Sequence, residues 1–418
     1  MNRAEFQKKT AFSVEFCTVL EKYGLESPEA EIPPPCFQIS FFEHYAPKLG
    51  VPLPFAAEIP ELIRRVKEEK TLQIYANCIL NAALQKGSWE LGNWPGPHTL
   101  LSERQCGLYQ LLIAMAALPR IEKSYRKLGL SASFADGPAK WIGGTIALYA
   151  AAHNGNPGHD LRQITWLKNY IDNRLFRIGR FEYLIHSRPD WLPAVYRSRQ
   201  TGRTEALCPE GWILKSDGFR APRNEPIRKE WTIAHLEKSN HAVSGIPIHP
   251  AKGRAEIFRR ETLPLTEYFP VFSAEEWVPS LHIPAGGGMK LELARKSLRE
   301  AVSFFRTCFH REITGFCCES WILNPDWITE LPDSNLTRLM REVYLFPIQE
   351  TERAGLFFVY GRDDGDLSSY PADNSLRRAF RHLIDTGHPL REGGMFILSA
   401  DLPRFGTGTY RSIALQTS

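Results

Sequence analysis

Apolar residues change their spacing along the chain, and the change divides it in two. Over roughly the first 170 residues they recur at helical steps. From Ala4 to Tyr23, Phe6, Phe12, Val14, Phe16, Val19 and Leu20 sit among charges, and Gly24 ends the run, which predicts one helix. A proline-rich connector from Pro28 to Pro35 follows. Ser40 is placed to cap a short helix over Phe41 to Ala46, and Pro60 to open another reaching Lys70. Thr71 to Lys86 carries Leu72, Tyr75, Ile79 and Ala82 on one face. Gly107 to Leu118 is apolar nearly all round, as a buried central helix is, and Trp141 to His153 and Leu161 to Arg174 complete a bundle.

Near Asn173 the pattern turns toward alternation. Leu175 to Ile185 sets Phe176, Ile178, Phe181, Tyr183 and Ile185 among Arg177, Arg180 and Glu182, which predicts a strand. Trp212 to Lys215, Trp231 to Glu237, His241 to Ile248 and Glu261 to Leu265 read as short strands punctuated by Gly211, Gly218, Gly245 and Gly253. The clearest unit runs from Trp277 to Trp321. Val278 to Ile283 is extended, Pro284 to Gly288 breaks it, and Leu291, Ala294, Leu298, Ala301, Val302 and Phe305 then mark a helix reaching about Cys308. Ile313 to Leu323 returns to extended character, so the unit is a βαβ with its glycines between strand end and helix start. Beyond it Asn324 and Pro325 turn into a short helix, and Asp333 or Ser334 is placed to cap another through Glu342. Tyr344 to Ile348, Leu356 to Tyr360 and Met395 to Ala400 read as strands, and Ser375 to Thr386 as a helix. The expected fold is α+β, a helical domain over 1–172 followed by a mixed α/β domain over 173–418.

Composition narrows the function. A chain of 418 residues with 43% hydrophobic and 23% charged residues holds enough apolar material for two folded domains. Its formal charge of +4 is too small, and its basic residues too dispersed, to argue for nucleic acid. Arg220, Arg223, Arg228 and Lys229 are interleaved with Pro222, Glu225 and Pro226 and read as a solvated loop. The eight cysteines contain no C-x-x-C pair and no metal-ligand spacing, so free thiols and no metal are expected. Met1 to Lys9 is charged and no apolar run nears the roughly 20 residues of a membrane span, so no membrane is expected and the cytoplasm is the default place.

A glycine loop at a helix start is a place for an anion. Unpaired N–H groups and a partial positive charge meet there, and glycines let a phosphate approach the backbone. The loop at Gly286, Gly287 and Gly288 is neither a Walker loop nor a G-x-G-x-x-G turn, and as a bare pattern it reads equally as a connector.

Four segments carry a resemblance: Leu175-Phe-Arg-Ile-Gly-Arg-Phe-Glu182, His282-Ile-Pro-Ala-Gly-Gly-Gly288, Cys317-Cys-Glu-Ser-Trp-Ile-Leu323 and Leu331-Pro-Asp-Ser-Asn335. Together they resemble a bacterial acyltransferase family that pairs a helical N-acyltransferase N-terminal domain with a GNAT-like C-terminal domain. The resemblance implies transfer of an acyl group from acyl-CoA or acetyl-CoA to an amine or hydroxyl of a small-molecule acceptor, by direct attack in a ternary complex. It also places the donor pyrophosphate at Ala285 to Met289 and a polarising backbone N–H near Ile283. His282, at the strand end, or Glu319, on the next strand and on the face of Cys317, is the implied base. Tyr344 is a candidate acid and Asn335 a residue near the CoA thiol. Cys317 and Cys318 read as buried packing, because no base or positive field near them would hold a thiolate. The GNAT turn opens with Gln or Arg and this one does not, which keeps a second class open: a non-catalytic small-molecule-binding protein with a degenerate GNAT-like fold. Trp89, Trp94 and the strands between Arg188 and Phe272 either shape an acceptor pocket or fill core.

Overall fold

The computed structural model describes residues 1–222, 225–286, 288–349 and 353–412. The chain forms two compact units: Met1–Arg177 with Pro284–Gly286, and Ile178–Ile283 with Gly287–Ser418.

The first unit is helical, as the periodicity predicts. Its core gathers aromatic rings about Tyr75, with Phe12 at 5.2 Å, Trp94 at 6.2 Å and Phe6 at 6.4 Å between centroids. Trp94 is therefore core; the Trp89 side chain lies outside the described residues. The helix Glu103–Met115 is buried along most of its length and opens with a reciprocal capping box between Ser102 and Gln105. Two expectations differ. The run from Ala4 to Tyr23 is two helices, Arg3–Thr10 and Val14–Glu21, because Ala11 adopts φ 57° and the Ser13 hydroxyl caps a new start. Ser40 is not a cap: it lies inside the helix Ile39–Tyr45, which starts after Gln38.

The second unit is organised by a six-stranded sheet. In chain order its strands are β1 (Leu175–Ile178), β2 (Phe181–Leu184), β3 (Ser280–His282), β4 (Gly315–Ser320), β5 (Tyr344–Pro347) and β6 (Gly393–Leu398), and their spatial order is β1-β2-β3-β4-β6-β5. β3 and β4 are parallel; the pairs β2–β3, β4–β6 and β5–β6 are antiparallel. The expected strand Leu175 to Ile185 is thus two strands turned at Gly179, which sits at φ 60°.

The helix Leu291–Phe309 buries Ala294, Ser297, Leu298, Ala301 and Phe305 on one side. It joins the two parallel strands, packs its apolar side on the sheet, and bonds to the first hairpin through one hydroxyl. Ser297 Oγ accepts from Phe181 N at 3.2 Å, meets the Tyr183 hydroxyl at 2.9 Å and donates to the Ile178 carbonyl. The sheet's opposite face is covered by small antiparallel sheets from 194 to 270, with a core of Tyr196, Leu207, Val243 and Leu263. Phe272 meets Phe396 edge-on at 6.0 Å on that face.

Leu356–Tyr360 is a helix rather than the expected strand. Its aromatic and branched residues favour strands, but glycines at 355 and 361, both at positive φ, bracket it, and Leu356 and Tyr360 are buried together one turn apart. All eight cysteines are free thiols, with seven buried and Cys308 half-buried.

Candidate active site

The site begins where two parallel strands part. β3 and β4 share one register pair, Ser280 with Cys317, closed by Cys317 N donating to Pro279 O at 3.2 Å. β4 then continues to Ser320 along β6, while β3 stays with β2 through His282, which faces Glu182. Side chains alternate along each strand, so Ser280 and His282 share a face with Cys317 and Glu319, and that face is the one opposite Leu291–Phe309. His282 and Glu319 are consequently the corresponding residues on the two strands just beyond their last shared pair.

His282 is half-buried, and its Nε2 lies 3.1 Å from Ser280 Oγ. Burial, with His186 close by adding positive charge, lowers its pKa to about 4. It is a neutral imidazole at physiological pH and can accept a proton. Glu182, across the register on β2, is almost completely buried on the same face. Glu319 is exposed and opposite Gly394.

The glycine turn follows β3 directly. Gly286 and Gly288 have φ of 79° and 61°, and a Cβ on either would meet nothing within 4 Å, so both need glycine for conformation and both present open backbone. Gly287 lies outside the described residues. Ala285 is exposed, Met289 is buried, and Lys290 starts the helix without a side-chain capping bond. The turn lacks its own Gln or Arg, but Arg180 comes to it from the β1–β2 turn: Nε donates to Gly288 O at 2.6 Å and Nη2 lies 3.7 Å from Met289 Sδ.

The remaining candidates stand apart from this split. Asn335 is exposed at the first position of the helix Asn335–Met340, which Ser334 caps as expected. Tyr344 is buried, its hydroxyl donating to Ile248 O at 2.6 Å and accepting from Ala206 N at 3.2 Å, with its ring stacked on Phe396 at 4.6 Å. Burial pushes its phenol far above the ordinary range, and both hydroxyl contacts tie β5 to the strands above the sheet. Cys317 and Cys318 are buried with raised pKa values, Cys317 directing its sulfur to Val278 O at 3.6 Å. Sequence reasoning missed Arg180 and Glu182. Both lie within a quoted segment, but only the β2–β3 register and the path of the hairpin bring them to the site. Among the described residues no group of three or more His, Cys, Asp or Glu is placed to hold a metal.

A parallel strand pair that opens at its carboxyl end beside a glycine turn and a long helix defines an α+β domain of GNAT type. The model of the GNAT-like C-terminal domain matches residues 175–396, more than half of the chain, and the chain belongs to that family. Among solved structures the chain is similar to an acyltransferase in complex with decanoyl-CoA and teicoplanin, at 15% identity and a TM-score of 0.58 over 95% of this chain and 99% of that one. A mutant acyltransferase in complex with octanoyl-CoA gives the same figures. An acyltransferase in complex with CoA and 10C-teicoplanin gives a TM-score of 0.57 with the same identity and coverage. At that identity the likeness is one of fold, and it extends over the helical unit as well. No curated protein matches the chain.

Proposed function

We propose that the protein is an acyl-CoA-dependent acyltransferase that acylates an amine or hydroxyl of a small-molecule acceptor, with the domain from residue 173 onward carrying the chemistry. The observation that carries this reading is the single-pair register of β3 and β4, which leaves a gap with His282 on one wall and Glu319 on the other. Such a gap takes the extended pantetheine arm. The open backbone at Gly286 and Gly288 and the Arg180 guanidinium at the turn supply donors and positive charge for the pyrophosphate. Donor acyltransferases of the same fold in complex with decanoyl-CoA and octanoyl-CoA support a long-chain as well as an acetyl donor.

In the reaction the acceptor nitrogen or oxygen attacks the thioester carbonyl carbon, the carbon–sulfur bond breaks, and CoA leaves as thiolate. His282 takes the acceptor proton, being neutral and recessed at the end of β3, with Glu182 across the register on β2. The backbone N–H beyond His282, at Ile283, polarises the carbonyl where β3 has left β4. Exposed Glu319 orients the acceptor from the other wall. Tyr344 takes no part, since its hydroxyl is committed within the core. The place proposed is the cytoplasm of a bacterium, where acyl-CoA is formed. No helix among the described residues is long and apolar enough to cross a membrane.

Calorimetric titration with acetyl-CoA and with C8 and C10 acyl-CoAs tests the reading: micromolar binding to at least one is expected, and no binding to any of them would overturn it.

A further inference from the structure

Beside the end of edge strand β5 the chain shapes an open cavity of about 370 Å³, lined by residues that include Asp217, Lys252, Arg254, Glu256, Phe258 and Arg259. Its size is that of a small-molecule site. Its place in the fold is set by three close approaches. Gly253 is pressed against Pro325, just past the end of β4, so closely that a Cβ would come within 2.8 Å of the proline ring. Asp217 Oδ2 lies 3.6 Å from Arg391 Nη1, two residues before antiparallel β6 begins. Arg220 bridges in parallel to Gln349, just past the end of β5. All three positions belong to the end of the sheet toward which β3 and β4 separate, and Leu345 N donating to Pro250 O at 3.0 Å sets this segment beside edge strand β5.

The charges of the lining do not cancel. Arg259 is used up by Glu256 at 3.0 Å and Glu261 at 2.6 Å, and Asp217 is flanked by Arg391 and by Lys215 at 3.8 Å. Lys252 and Arg254 remain, exposed and without an ion pair among the described residues. Phe258, 95% exposed, lines the same cavity. A lone exposed ring needs no explanation, but a ring beside two unmatched cations at a cavity mouth matches a ligand with an apolar face and a negative charge.

We infer that this cavity binds the ring and the anionic group, phosphate or carboxylate, of the acceptor. The inference rests on the acyltransferase reading: the donor lies along the glycine turn, and the acceptor reaches His282 from the end of the sheet at which this cavity lies.

The test uses the intact protein and three ring probes, phenyl phosphate, phenylacetate and benzyl alcohol, titrated calorimetrically. The anionic probes are expected to bind and the neutral one not, and the tighter of the two identifies the anion. Lys252→Ala with Arg254→Ala is expected to weaken that binding about tenfold or more, and Phe258→Ala about threefold or more. These exposed changes leave the fold and acyl-CoA binding unaltered. With tyramine and tyramine O-phosphate or tyrosine as acceptors, thiol release should favour the anionic amine, and the double variant should lose that preference. Absent binding of both anions, or binding and preference unchanged in the double variant, overturns the inference. Anion binding here with no binding of any acyl-CoA would leave the cavity standing and overturn the acyltransferase reading and the acceptor assignment together.

Discussion

The two faces of the central sheet are built from the same six strands and do different things. On the inner face Phe181, Leu281, Ile283, Met395 and Ile397 pack with Leu298 of the long helix, and the polar group there, Ser297, has its hydrogen-bonding capacity filled by Phe181 N, the Tyr183 hydroxyl and Ile178 O. On the outer face Ser280, His282, Glu182, Cys317 and Glu319 stand in register, and His282 lies beyond the last pair that joins its strand to β4. The inner face is thus apolar packing against the helix, whereas the outer face combines packing at Phe272, Tyr344 and Phe396 with this polar row, and strand alternation keeps the two sets apart. Both faces hold the fold together; the proposed general base stands on the outer one.

His282→Ala is the largest expected break in that division. Loss of a positioned general base should lower kcat by about 10²- to 10⁴-fold, with the affinity for acyl-CoA and the urea midpoint held. An equal loss of donor affinity would instead make His282 part of the donor site. The pH profile sharpens the same point. With a folded pKa lowered to about 4, His282 stays neutral from pH 7 down to near pH 5, so its limb in kcat/KM falls as pH drops through about 4. The stability it contributes is present above the ordinary histidine value and is lost as pH falls from there through about 4. A limb near 6.5 that disappears in His282→Ala would show the imidazole to be solvated in solution. On the inner face, Ser297→Ala leaves the Phe181 N–H and the Tyr183 hydroxyl without their buried partner. It should cost about 2–3 kcal/mol in urea denaturation while leaving kcat within about twofold. Tyr344→Phe separates strut from acid: a loss of about 1–2 kcal/mol with unchanged kcat is expected, and a fall in kcat beyond about tenfold would return the phenol to the reaction. The smallest effect on the fold belongs to Gly288→Ala, about 1 kcal/mol for a left-handed residue with free space around it, and its effect should appear instead as weaker acyl-CoA binding. Equal CoA affinity in that variant would move the pyrophosphate off the turn.

How much of this could be read in the sequence follows from the range of the forces involved. The unit from Val278 to Trp321 was legible because each piece is local: alternation, glycines, then a stripe at helical spacing. His282 at one strand end and Glu319 on the next strand could be named from that order, but their correspondence needed the Ser280–Cys317 register. Ala194–Ser198, Thr204–Leu207 and Tyr268–Pro270 were not seen as strands, since Thr204–Leu207 has residues that favour helices and the third strand reaches its partner from some seventy positions away. Leu356–Tyr360 failed the opposite way, its strand-favouring residues overruled by flanking glycines and by burial one turn apart. Arg180 and Glu182 were in view but had no role, because a register between β2 and β3 spans about a hundred residues of chain and no local pattern specifies it.

The thiols of the protein offer an experimental handle. Seven of the eight are buried, and Cys308 alone is half-open to solvent, on the last turn of Leu291–Phe309. A maleimide dye on the native protein should therefore attach at one place without any cysteine having to be removed first. That place is some 25 Å along the helix from the glycine turn, given a rise of about 1.5 Å per residue. The label is far enough from the turn to leave donor binding undisturbed, and near enough for energy transfer to a fluorescent CoA analogue to report occupancy in real time.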